Sequence, residues 1–130
     1  MKCKDIFKSA LRLLNEKGEE TGNEDYAERA PYILASMFSE AATLDKKYRA
    51  AFKLESQPFF NPAYNVLTSI FPLCDRFAAP AAFYLASLLI IDANEALSDA
   101  FYERFCDGMA TISTEIPPSM ATVESIKNVY

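Results

Sequence analysis

The stretch Ala82–Asp92, AFYLASLLIID, constrains this chain more than any other feature. With the residues before it, the segment from Phe77 to Ile91 is 15 residues of mostly apolar side chains between Arg76 and Asp92. As a helix it would span roughly 22 Å, against the ~30 Å of a bilayer's hydrocarbon core. Pro80 shortens the regular part further, so a membrane span is not expected. A helix that is apolar all round and too short to cross a bilayer belongs at the centre of a packed domain. The expectation is that Leu85, Leu88, Leu89 and Ile91 are core, and that Leu88→Asp abolishes folding.

The other segments supply helices to surround it. Residues 5–17 place Ile6, Phe7, Ala10, Leu11, Leu13 and Leu14 on one broad helical face, with Asp5 as a cap and Gly18 as a stop. A second start signal follows, in which Thr21 or Asn23 can cap and Glu24 completes a capping box with Thr21. The apolar series Tyr26, Ala30, Ile33, Leu34, Met37, Phe38, Ala41, Leu44 and Tyr48 predicts one long helix to about residue 53. Pro31 interrupts it, and a kink or a restart is expected there.

Residues 54–75, with three prolines, predict a long irregular connection containing a short strand or turn. Connections of that length are uncommon in compact domains unless they have a job. Asp75 can cap the apolar helix, and Pro80 suits its first position. Asn94 then caps a last helix over residues 95 to about 114, with the stripe Leu97, Phe101, Phe105, Met109 and Ile112. Pro117-Pro118 ends it, and a short helical signal follows Thr122. The fold class is all-α: a single domain over 1–130, four main helices around an apolar central one, an irregular insertion at about 54–75 and an extended tail at 115–130.

Composition narrows function mostly by exclusion. There are 13 Lys+Arg against 18 Asp+Glu, which argues against tight or sequence-specific nucleic-acid binding. No histidine is present, which removes Ser-His, Cys-His, HExxH and Glu-x-x-His chemistry. With only three glycines there is neither a P-loop nor GxGxxG. No enzyme, cofactor or metal site is expected. Cys3, Cys74 and Cys106 form no CxxC pair and no disulfide framework, which fits a reducing cytoplasm. Cys74 and Cys106 read as small buried hydrophobes. The N-terminus has no continuous apolar run and no signal-peptide pattern.

One charge pattern stands out. Glu95, Asp99, Glu103 and Asp107 recur every four residues on the last helix, drifting about 40° per step. All four lie on one slowly winding face, where like charges at i, i+4 disfavour the helix slightly. The ladder reads as a solvated outer face beside Arg104, or as a face turned to a basic partner or an acidic channel. It spreads over ~18 Å and cannot converge on one ion. In the irregular segment Phe59, Phe60 and Tyr64 either anchor a partner or fold back on the domain.

The order of these signals resembles a known family, the head–tail connector (adaptor) proteins of tailed bacteriophages and prophages. The similarity begins with KDIFKSALRLLNEKGEE and continues with DYAERAPYILASMFSE. It is densest in LTSIFPLCDRFAAPAAFYLASLLIIDANEALSDAFYERFCDGM, where an extended segment runs into a YLASLL helix and then an FYERF helix. The closing IPPSMATVESIKNVY is similar to the family's tail. The resemblance implies a structural, non-enzymatic protein of the virion neck, present in the bacterial cytoplasm during assembly. It implies a homo-oligomeric ring, commonly twelve-fold, that binds the portal protein, extends the DNA channel and presents a surface to head-completion or tail proteins. It also implies a C-terminal segment that reaches toward the portal, with Ile116, Val123, Ile126 and Tyr130 as its apolar contacts. The reading that stands beside it is a small all-α bacterial interaction or regulatory module, binding a peptide or helix in a groove next to the apolar stretch.

Overall fold

The computed structural model describes residues 1–14 and 24–118. Among them are four α-helices: α1 Cys3–Leu13, α2 Glu24–Ala51, α3 Ala78–Ile90 and α4 Glu95–Glu115. A 3-10 turn, Asp75–Phe77, leads into α3. The architecture is all-α, with α3 packed against each of the other three helices. Among the described residues no helix is long and apolar enough to cross a membrane. The expected stop at Gly18, the caps at Thr21 or Asn23 and the helical signal after Thr122 lie outside the described residues.

α3 is central because its composition leaves it no polar face. Pro80, Ala81, Ala82, Tyr84, Leu85, Ala86, Ser87 and Leu89 are buried. Leu85 and Leu89 are core as expected. Leu88 is only half-buried at the edge of the core, and Ile91 is 44% exposed. The reason is where the helix stops. Its last residue is Ile90, whose carbonyl accepts Ala93 N–H (2.9 Å) and Asn94 N–H (2.8 Å) in the turn to α4. Ile91 therefore sits in that turn, outside the packed stack. Pro80 lies in the third position of α3, still within the first turn, where a missing N–H removes no intrahelical bond.

α3 and α4 approach closely through small residues. Ser87 Oγ donates to Ser98 O and Ser98 Oγ donates to Ser87 O, each at 2.8 Å and fully buried. A Cβ built on Gly108 would stand 3.0 Å from Pro80 Cγ. Asn94 caps α4 as the sequence predicts, its side chain accepting Leu97 N–H at 3.0 Å. Of the predicted stripe, Phe105 and Ile112 are buried, while Leu97, Phe101 and Met109 are half-buried.

α1 begins at Cys3 rather than at Asp5, because Asp5 reaches back to accept Lys2 N–H at 2.8 Å. The first-turn N–H groups of Cys3 and Lys4 find partners in the irregular segment, the carbonyls of Ser69 (2.9 Å) and Leu67 (2.8 Å). The expected short strand is reduced to a lone antiparallel bridge, Lys2 to Ile70. α2 runs through Pro31 without restarting. Ala30, Pro31 and Leu34 are all buried there, and packing of that face holds the helix despite a proline's cost of about 3 kcal/mol.

Candidate interaction surfaces

The segment between α2 and α3 is pinned by charge as well as by apolar contact. Asp45 is fully buried on α2. Its carboxylate accepts Cys74 N–H (2.8 Å), Gln57 Nε2 (2.9 Å) and Arg49 Nε (2.8 Å). Arg49 in turn donates to the carbonyls of Glu55 (2.8 Å) and Pro72 (3.1 Å). One helix face thus ties both ends of the connection. Burial pushes the Asp45 carboxyl up, but hydrogen bonds from Cys74, Gln57 and Arg49 together outweigh it and hold it below the ordinary value. The sequence reading missed this network. The signal was an i,i+4 Asp-Arg pair inside an otherwise apolar stripe.

The three aromatics of the segment divide. Phe59 is 91% exposed. Phe60 folds back and packs edge-on against Phe38 (centroids 5.8 Å apart). Tyr64 is 39% exposed but rests edge-on against Tyr32 at 4.9 Å. Only Phe59 is left wholly to solvent. It lines a groove with Lys46, Gln57 and Pro58 (about 400 Å³). A second groove (about 370 Å³) shares Lys46 and Gln57 and reaches Leu54, itself 47% exposed.

On α4, Glu95, Asp99, Glu103 and Asp107 are all exposed. Among the described residues none of the four has an ion pair, and no group of acids and cysteines could hold a metal. Arg104, on the same helix, instead covers the ring of Phe83 at 5.9 Å. Ile116 is half-buried beyond the end of α4. The end of α4 is tied to the turn before α3 by Arg76 and Glu115 at 2.9 Å, and the hydrogen bond from Arg76 keeps the Glu115 carboxyl below its ordinary value. Val123, Ile126 and Tyr130 lie outside the described residues.

The cysteines depart from expectation. Cys106 is exposed, because it falls on the outer side of α4, and Cys74 is half-buried; Cys3 is the fully buried one. Burial, then the neighbouring Asp45 carboxylate, pushes the Cys74 thiol up to about 11. Burial also raises Cys3. A further groove (about 420 Å³) lies between α1 and α3, lined by Leu13, Ala78, Ala79, Ala82 and Phe83 among others.

Comparison with protein-family models, curated proteins and solved structures finds no match to this chain.

Proposed function

We propose that this chain is a head–tail connector subunit of a tailed phage or prophage, a structural protein that assembles as a ring on the portal. The observation that carries the reading is the ordered resemblance running from the opening helix to the tail. Its densest part, residues 67–109, makes up the end of the irregular segment, α3 and most of α4. An all-α subunit whose central helix lies within that stretch is compatible with the role. Phe59 at the surface supports it too, because exposed aromatics serve as anchors at protein interfaces. On this reading the chain performs no catalysis. It supplies a rigid helical body, an apolar contact at Phe59 and a C-terminal segment directed at the portal.

The test is assembly. Purified chain is mixed with a cognate portal protein and examined by electron microscopy and analytical ultracentrifugation. A ring seated on the portal is the expected result. No ring and no portal binding under any condition would sink the reading. A monomer in solution without portal would not, since assembly on the portal alone is compatible with the role.

The groove between α1 and α3 favours a second reading, an all-α interaction module that receives a partner helix. Its floor of alanines admits close backbone approach. Substitution of Ala79, the exposed alanine of that groove, by a bulky residue would block partner capture on this reading and leave portal binding unchanged.

A further inference from the structure

We infer that the acidic ladder of α4 in one copy of this chain docks against the basic C-terminal end of α2 in a second copy. The inference deepens the ring reading by naming the two faces that meet.

The receiving face has charge and apolar surface together. Lys46, Lys47 and Lys53 cluster at the end of α2, all exposed. Among the described residues none of them has an ion pair. Lys46 sits between two adjoining grooves whose outer walls are Leu54 and Phe59. Glu55 is the exposed acid nearest in sequence. Arg49, the other cation there, is committed to Asp45 and to backbone carbonyls.

The presenting face is complementary. Glu95, Asp99, Glu103 and Asp107 form a row of exposed carboxylates on a regular helix, with no ion pair among the described residues. Their mutual repulsion is relieved when cations of another molecule approach. Tyr102, 46% exposed on the same helix, offers an aromatic contact. Among the described residues, a copy's own ladder has not closed onto Lys46, Lys47 or Lys53. The contact is therefore between copies. It is also heterologous, with different faces meeting, and such contacts propagate into closed rings when the rotation permits. Charge patterned this way sets register and partner choice, while a side chain like Phe59 supplies burial.

The experiment uses the full chain without portal. Sedimentation velocity is run on wild type, on a basic-face variant (Lys46→Glu, Lys47→Glu, Lys53→Glu) and on a ladder variant (Asp99→Lys, Glu103→Lys, Asp107→Lys). All substituted side chains are exposed, and circular dichroism checks that each variant folds. Wild type should self-associate at high protein concentration and low ionic strength. It should dissociate in about 1 M salt, where the screening length falls to about 3 Å. Each variant alone should associate about tenfold or more weakly. The two variants mixed should recover association, because each then presents the charge that the other lacks. Phe59→Ser should weaken wild-type association without changing the salt dependence. Wild type that stays monomeric under all these conditions, variants that associate as wild type does, or a mixture that fails to recover would each overturn the inference. Portal binding by the same variants, read separately, bears on the connector reading and not on this interface.

Discussion

At the scale of single residues, Asp45 carries the largest consequence. Its carboxylate is buried, and three donors from α2, the irregular segment and the entry to α3 converge on it. Asp45→Asn leaves Arg49 without its charge partner and should cost about 3 kcal/mol in chemical denaturation. The wild type carries the matching pH signature. The folded Asp45 carboxyl lies below its unfolded value of about 3.9. Its contribution is therefore complete above about pH 4 and is lost as pH falls through the folded value. Denaturant midpoints measured from neutral pH downward should fall in that acid window for wild type, and less for Asp45→Asn. Thiol reactivity is a second residue-scale outcome. Cys106 is exposed, whereas burial raises both Cys3 and Cys74. Iodoacetamide labelling read by mass spectrometry should modify Cys106 first and the other two only slowly.

At the scale of elements, helix ends and helix contacts are set by backbone geometry. α2 ends in a Schellman arrangement: Lys53 N–H donates to Ala50 O (3.4 Å) and Leu54 N–H to Arg49 O (2.8 Å). Lys53 holds φ at 55° to make it, in a region that costs a residue with a Cβ roughly 1 kcal/mol. Lys53→Gly should raise stability by about 0.5 kcal/mol, once the extra freedom of the unfolded glycine is subtracted. Gly108 argues the other way. A helix interior ordinarily favours alanine over glycine by about 1 kcal/mol. Here the added Cβ would meet the ring of buried Pro80 at 3.0 Å, and Pro80 cannot rotate aside. Gly108→Ala should therefore lower the melting temperature, with overpacking of about 1–3 kcal/mol exceeding the propensity gain. The C-terminus of α3 is closed by another element: Arg29 of α2 donates to the carbonyls of Leu89 (2.9 Å) and Leu88 (3.4 Å). α3 has no basic residue in its own last turn, so this cap is invisible to any reading of α3 alone.

At the scale of the molecule, the apolar stretch and the surface separate cleanly. Leu85 is fully buried in α3, which touches each of the other three described helices. Leu85→Asp should abolish the cooperative melting transition, because it buries an unpaired charge. The half-buried Leu88 is the weaker test of the same idea. Phe59→Ser, at the opposite extreme of exposure, should leave the melting temperature unchanged within about 0.5 kcal/mol of stability. If that substitution unfolded the protein, Phe59 would be core and its role as a contact to another molecule would fall.

The four helices, the Asn94 cap and the central position of the apolar stretch were legible in the sequence. Each depends on local spacing: apolar side chains at helical period, a capping side chain before its helix, and a run with no polar face. Which part of the irregular segment folds back was not legible. Phe59 and Phe60 are adjacent and chemically identical, yet only Phe60 meets Phe38 on α2. Asp45 reads as a stray charge until Gln57 and Cys74, distant in sequence, are brought to it. Cys106 and Ile91 read as core until the direction of α4 and the end of α3 turn them outward. Local periodicity states how much apolar surface an element must bury. Which residues bury it depends on the angle and reach of the elements packed against it, and those follow from contacts between parts of the chain that are far apart.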